Sequence, residues 1–298
     1  MDVREQQKKH WNAVAGGWAA WFDWTTRNFR PVTDWFRDAA GWKPGARILD
    51  VACGAGFPAL AAATSVRPGG TIVAADISPE MLAAASSRAR ADGLDNIQFV
   101  EMDAEQLTFD DASFDAVTNA YGLMFCPDLP RAIGEARRVL RPGGRFALVT
   151  WDEPSKSPFF SVITAVAAPF LSLQTPAPGA PGPFRLSSVG QLESLLRDAG
   201  FSDVGVEGLP MMLELASASE YLRVFSDVAW KVRVATLPET DLTRFRDAIA
   251  EAARPYMVDG RLKLVATSLC AFGRRSVEND GRAIEGTSKT NELIRRDP

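Results

Sequence analysis

Three aspartates and a pair of glycines carry the chemistry legible in this chain. Asp50 sits within the apolar run ARILDVA, and Gly54 and Gly56 follow directly. Glycines there let the backbone turn sharply and come close to a ligand. A helix expected next points its N-terminus at the same place. Asp76 ends a second apolar run, TIVAAD, 20 residues after Gly56. A carboxylate so placed can accept hydrogen bonds from both hydroxyls of a ribose. Asp103, followed by Ala104, ends a third run, NIQFVEMD, where it can accept from the exocyclic amine of adenine. Together they describe a site for an adenosine. Each has a plainer alternative. Asp76 could cap the helix opening at Pro79, although Ser78 suits that role better, and Asp103 could cap a turn. The spacing Gly54-x-Gly56-x-x-Ala59 also satisfies a relaxed dinucleotide pattern.

These side chains converge only if the strands carrying them lie side by side. The order supports that. ARILDVA reads as a buried strand, followed by an alanine-rich helix opening at Pro58. TIVAAD (strand), PEMLAAASSRARAD (helix), NIQFVEMD (strand), SFDAVTNA (strand), LPRAIGEARRVL (helix) and GRFALVTW (strand) come next. Strands alternating with helices indicate a mainly parallel sheet covered on both faces, and doubly covered strands lack clean polar alternation. Ligands of such sheets bind beyond the carboxyl ends of the strands.

The flanking segments differ in texture. Residues 1–42 hold Trp11, Trp18, Trp21, Trp24, Trp35 and Trp42 at roughly helical spacing, which predicts one or two amphipathic helices. They either staple to the domain or cap a ligand site. SPFFSVITAVAAPFLSL reads as a helix, QTPAPGAPGPF as a loop, and SSVGQLESLLRDAG as a helix stopped at Gly200. VGVEGLPMMLEL predicts a strand pair or a bent strand, residues 218–257 helices, and RLKLVATSLCAFGRR a last strand. The expected organisation is an N-terminal helical cap over 1–42, one domain over 43–275, and a disordered tail over 276–298. The domain carries pocket-forming insertions at about 155–188 and 210–257.

Composition narrows the function classes. The 298 residues are 46% hydrophobic and 23% charged, an ordinary globular balance. The net charge of −4 argues against nucleic acid as partner, since phosphates call for a basic excess. Cys53, Cys126 and Cys270 are too far apart in sequence for a zinc motif, so no metal is expected, and their scatter suits a reducing cytoplasm. The polar N-terminus gives no secretion signal. No apolar run is long enough to span a membrane.

The ordered strings ILDVACGAG, AADIS, MDAEQL, FDAVTNAYGLMF and RVLRPGGRFALVTW resemble the motifs of class I S-adenosylmethionine-dependent methyltransferases. They are most similar to the small-molecule branch near the ubiquinone and menaquinone biosynthesis enzymes. The likeness runs from about Trp11 to Arg274. It implies a Rossmann-like, doubly wound sheet of seven strands, mostly parallel, with the last strand antiparallel and inserted beside the sixth. It implies S-adenosyl-L-methionine as cofactor. Asp50, Ala52, Gly54 and Gly56 would hold its methionine end and Asp76 the ribose. Ile77 and Met81 would lie along the adenine, with Asp103 and Ala104 at its edge. Asn119, Ala120 and Tyr121 would floor the site near the sulfonium. Trp11-x-x-x-Ala15-x-x-Trp18 resembles the family's N-terminal cap motif. Two positions depart from the pattern: Ala52 replaces the family's first glycine, and Trp18 replaces a common tyrosine.

Methyl transfer needs the acceptor held in line and water kept out, and positioning can supply roughly 7–11 kcal/mol of the barrier. A base is required only when the acceptor is protonated. Candidates are few. His10, the one histidine, is a weak candidate beside Trp11, and Asp152 and Glu153 follow the fifth strand. The expected acceptor is therefore a small hydrophobic or aromatic molecule that ionises readily, enclosed by Trp11, Phe159, Phe160, Phe184 and Trp230. Two other readings stand beside this one. An NAD-dependent oxidoreductase would need a diphosphate-binding loop and a hydride-transfer acid, and Pro58 removes one N–H from the helix end that a diphosphate would use. A non-catalytic cofactor-binding module is the other. The oligomeric state stays open, a homodimer being one option.

Overall fold

The computed structural model describes residues 3–173, 176–177 and 179–277. The tail expected from residue 276 lies, from 278 onward, outside the described residues. Three helices lead: α1 (Val3–Ala20), α2 (Phe22–Asn28) and α3 (Arg30–Ala39). The expectation was one or two. The chain breaks at Trp21 and Phe29, and Pro31 stands in the first turn of α3, where its missing N–H costs nothing.

The alternating unit runs β1 (Arg47–Val51), α4 (Ala59–Ser65), β2 (Thr71–Asp76), α5 (Pro79–Ala91), β3 (Ile97–Glu101), β4 (Phe114–Ala120), α6 (Leu129–Val139) and β5 (Leu140–Trp151). After it come α7 (Pro158–Leu171), α8 (Val189–Asp198), β6 (Phe201–Leu215), α9 (Ala218–Val228), α10 (Lys231–Ala235), α11 (Glu239–Ala253), β7 (Met257–Val258) and β8 (Arg261–Arg275). Strand order is β3-β2-β1-β4-β5-β8-β6, with the two-residue β7 paired to β8 outside this path. The expected mostly parallel seven-strand arrangement is borne out. β8 runs antiparallel to both neighbours and lies between β5 and β6. The segment read as a strand pair or bent strand is one strand, β6, with a register shift between Ser202 and Gly205. Gly205 leaves room there for the Phe272 ring, whose tip would lie 2.5 Å from a Cβ.

Strand order reverses at β1, which pairs with β2 on one side and β4 on the other. In open parallel sheets a ligand crevice forms at that reversal. Ile48 and Leu49 of β1 and Ile72 of β2 are almost fully buried because helices cover both faces. Local signals place the helices around the crevice. Ser78 caps α5, its Oγ accepting from Met81 N at 3.1 Å, and Asp128 caps α6.

The leading helices belong to the same core. Trp21, Phe29, Val32, Phe36 and Trp42 are buried with the sheet residues. Several contacts fix them over the crevice. Gly17 lets α1 meet α9, since a Cβ there would sit 2.2 Å from the Asp227 carbonyl oxygen. Trp21 Nε1 donates to Asp227 Oδ2 at 2.9 Å, and Trp24 Nε1 donates to the Glu214 carbonyl at 2.7 Å. Among the described residues, no helix is long and apolar enough to cross a membrane.

Candidate functional site

A cleft of about 150 Å³ lies at the carboxyl ends of β1 to β4, roofed by α1 and α2. Its floor begins with the loop after β1. Ala52 (φ 52°), Gly54 (φ 52°) and Gly56 (φ 110°) all turn left-handed there. For Gly56 this is a demand of its conformation, and a Cβ would also press to 3.0 Å on Leu60. Ala52 and Tyr121 (φ 58°) adopt positive φ without being glycine. Two of the strained non-glycine positions thus fall on the cleft floor.

Asp76 anchors this loop. It is 6% exposed yet lines the cleft. Its Oδ2 accepts from Gly54 N at 2.8 Å and its Oδ1 from Ser78 N at 2.9 Å. Burial pushes its pKa up, and these N–H donors hold it down. Each oxygen retains a lone pair for a ligand. Asp103 lines the same cleft with its side chain 30% exposed. Its Oδ1 accepts from Glu105 N at 2.9 Å, and its Oδ2 lies 3.2 Å from Arg4 Nε. Arg4, on α1, also pairs with the buried Glu105. The cap is therefore tied by charge to the end of β3.

Of the other residues singled out in the sequence, Trp11, Trp18, Ala52, Gly54, Ile77, Met81, Ala104, Ala120 and Tyr121 line the cleft. Trp18 Nε1 is enclosed with no hydrogen-bond partner among the described residues. Gly56 shapes the loop from behind, its ordinary neighbours being Leu60 and Ala85.

Two floor residues lie deeper than the resemblance implied. Asp50 is fully buried in mid-sheet, opposite Ala74 and Thr118, and does not line the cleft. Its Oδ1 accepts from Thr118 Oγ1 at 2.7 Å, while its Oδ2 has no hydrogen-bond partner among the described residues. Asn119 is also fully buried. It donates to the Val51 carbonyl at 2.6 Å and accepts from Leu123 N at 3.0 Å. It braces β1 to the turn after β4. Asp50 and Asn119 therefore support the floor from below.

Burial raises the Asp50 pKa to about 8; the Thr118 hydroxyl opposes this and the nearby Asp76 adds to it. Below that value the folded chain keeps a proton that the unfolded chain sheds near pH 4. Stability should fall as pH rises from about 4 to about 8, by up to about 1.4 kcal/mol per pH unit, and level off above. Asp50→Asn stays neutral and keeps an oxygen for Thr118. It is expected to flatten this slope in denaturant unfolding at about pH 5, 7 and 9. An unchanged slope would show that Asp50 is already ionised in the fold.

The aromatic residues expected to wall an acceptor pocket sit one layer back. Phe159, Phe160, Phe184 and Trp230 do not line the cleft. Phe160 packs on Trp151 at 4.6 Å and on Phe184 at 5.4 Å, and Phe159 and Trp230 both pack on Phe225. Trp151 stacks on Tyr121 at 4.2 Å and touches Phe29 at 5.7 Å. The actual wall is nearer: Phe22, Phe29, Phe57 and Phe125, with Thr25 among them and Met102 and Pro127 at the other end. A signal for part of it was present. Residues 4, 7, 11, 18, 22, 25 and 29 recur at intervals of three, four or seven, one face of a helical ribbon. All seven line the cleft.

Apart from Asp76 and Asp103, no ready base faces the cleft among the described residues. His10 is exposed, edge-on to Trp11, outside the lining. Asp152 is buried in an ion pair with Lys156 at 3.1 Å, also outside it. The Tyr121 hydroxyl is spent on Ser268 Oγ at 2.7 Å, and burial holds its pKa far up. Burial likewise pushes the Cys126 thiol up to about 12, aided by Glu105 and Asp103. Among the described residues no group of three or more His, Cys, Asp or Glu could hold a metal ion. The site can bind a nucleoside and enclose a flat apolar partner.

Residues 28–170 match the model of the ubiE/COQ5 methyltransferase family. An uncharacterized protein of Mycobacterium tuberculosis is 40% identical over 44% of this chain and 46% of its own length. A demethylmenaquinone methyltransferase of Thermus thermophilus is 44% identical over 41% of this chain and 54% of its own. The chain thus spans about half the length of the curated relatives it matches. Among solved structures, phosphoethanolamine N-methyltransferase 2 of Haemonchus contortus, in complex with S-adenosyl-L-methionine, aligns with a TM-score of 0.58 at 17% identity. That alignment covers 93% of this chain and 60% of the other, a likeness of fold.

Proposed function

We propose that this chain is a class I S-adenosylmethionine-dependent methyltransferase that transfers a methyl group to a small, flat, apolar acceptor, a reading supported by the family-model match over residues 28–170 and the similarity to a demethylmenaquinone methyltransferase. The carrying observation is Asp76: a carboxylate nearly removed from solvent, open to the cleft, and held by the N–H of Gly54.

The residues present fit the cofactor. Asp76 offers lone pairs to ribose hydroxyls. Ile77 and Met81 offer apolar surface to the adenine, with Asp103 and Ala104 at its edge. Trp18 lines the cleft and offers indole surface to the methionine end, its Nε1 being enclosed with no hydrogen-bond partner among the described residues. Ala52 and Gly54 line the methionine end, while Asp50, Gly56 and Asn119 shape it from beneath. Ala120 and Tyr121 floor the sulfonium. When bound, the cofactor supplies an electrophilic methyl group on positive sulfur.

The protein contributes position and dryness. Trp11, Trp18, Phe22 and Phe29 roof the cleft and exclude water from the reacting centre. With no ready base beyond Asp76 and Asp103, the site suits an acceptor that is already ionised or electron-rich. The Thermus thermophilus relative's name, demethylmenaquinone methyltransferase, agrees with such an acceptor and points to a quinol-type ring. The test is transfer of labelled methyl from S-adenosylmethionine into a panel of phenols, quinols, carboxylates and amines. Incorporation into phenols or quinols is expected. Incorporation into amines alone would overturn the acceptor class.

A further inference from the structure

We propose that Thr25 orients the acceptor: its hydroxyl holds an oxygen substituent of a flat, uncharged ring lying against Phe22, Phe29, Phe57 and Tyr121. This rests on the methyl-transfer reading above. Thr25 is 4% exposed and lines the cleft. Hydroxyls inside helices commonly return a hydrogen bond to the carbonyl four residues back. Thr64, Ser65, Thr164 and Ser226 all do so. Thr25 does not, and its Oγ1 has no hydrogen-bond partner among the described residues. Unlike the enclosed Thr33 Oγ1, it is not walled off by protein, so it opens on the cleft that Thr25 lines, where a ligand is the partner to hand.

Position separates this end from the nucleoside end. Asp103, Asp76 and the glycine loop follow β3, β2 and β1, and the order continues to β4 and β5. Phe29 lies at that far side, 5.7 Å from both Tyr121 and Trp151. The side chains around Thr25 there are aromatic, and the one nearby hydroxyl, on Tyr121, is bound to Ser268. Thr25 is thus the remaining hydroxyl able to read an acceptor oxygen. It can donate or accept, so it fits a phenol, a quinol or a ring carbonyl.

The test compares the full chain with Thr25→Val, which keeps the shape, and Thr25→Ser, which keeps the hydroxyl. Equilibrium dialysis with β-naphthol and β-methylnaphthalene, a hydroxyl–methyl pair, reads the contact, with and without S-adenosylhomocysteine. The wild type is expected to prefer the naphthol about five- to tenfold, Thr25→Val to lose the preference to within about twofold, and Thr25→Ser to keep it. Affinity for S-adenosylhomocysteine should stay within about twofold in Thr25→Val. Four results overturn the proposal: an undiminished preference in Thr25→Val, no preference in the wild type, binding of neither probe, or a tenfold loss of nucleoside affinity in Thr25→Val. A wild-type chain that shows the naphthol preference but binds no S-adenosylhomocysteine would sink the methyl-transfer reading and leave Thr25's role standing.

Discussion

Asp76→Ala is expected to lower affinity for S-adenosylhomocysteine by at least about 100-fold, because two hydrogen bonds to a charged group are worth roughly 3–6 kcal/mol together. The carboxylate has two jobs. It holds the glycine loop through Gly54 N and the start of α5 through Ser78 N, and its remaining lone pairs face the cleft. Removing it orphans both N–H groups, so a loss of stability should accompany the loss of binding. Asp76→Asn separates the two. Its amide oxygen can keep one backbone donor, but its NH₂ cannot accept from a ribose. Asp76→Asn leaves one of the two backbone N–H groups facing a donor, so a smaller stability loss than in Asp76→Ala, with affinity still lost, is its expected result. Asp103→Ala should cost far less, about tenfold at most, since that side chain is part-exposed and shared with Arg4. Calorimetry on the three variants checks the order, and equal effects at the two sites would contradict it.

Gly122→Ala is the second large effect. Its φ of −101° is one any residue adopts, so the requirement is space. A Cβ there would lie 2.5 Å from the Ala52 Cβ and 2.7 Å from Asn119 Nδ2. Both neighbours belong to the floor, and neither can swing aside: one is a methyl on a strained backbone, the other is bound to Val51. The two floor loops must therefore part. Overpacking of this kind costs typically 1–3 kcal/mol, and the same displacement should lower cofactor affinity on the order of tenfold or more. Ala52→Gly removes the first clash and suits its positive φ. The double variant should recover part of the loss, with a coupling of about 0.5–3 kcal/mol in a double-mutant cycle. Strict additivity would show that the loops do not press on one another.

What could be read in the sequence depended on how local the signal was. The strands of the alternating unit, the glycine loop and Asp76 were legible because apolar runs, turns and spacing are local. The depth of Asp50 was not. It follows from register, which sets Asp50 beside Thr118 of β4, a pairing that joins residues far apart in the chain. The same holds for Asn119, whose partners are Val51 and Leu123. Phe159, Phe160, Phe184 and Trp230 were read as pocket residues from their type alone. Type reports burial, but which side of Trp151 and Phe29 a ring occupies is decided by how α7 and α9 pack. The breaks at Trp21 and Phe29 turned one expected cap into three helices. They carried Thr25 and Phe29, which no motif marked, onto the cleft.

The central claim is that the rim of the sheet around Asp76 holds an adenosine joined to methionine. Titration calorimetry of the wild type with S-adenosylhomocysteine, set beside NAD under identical conditions, tests it most directly. The account predicts one site per chain with a Kd on the order of micromolar, about −8 kcal/mol, and no measurable heat from NAD. Saturable NAD binding with none for S-adenosylhomocysteine would contradict it.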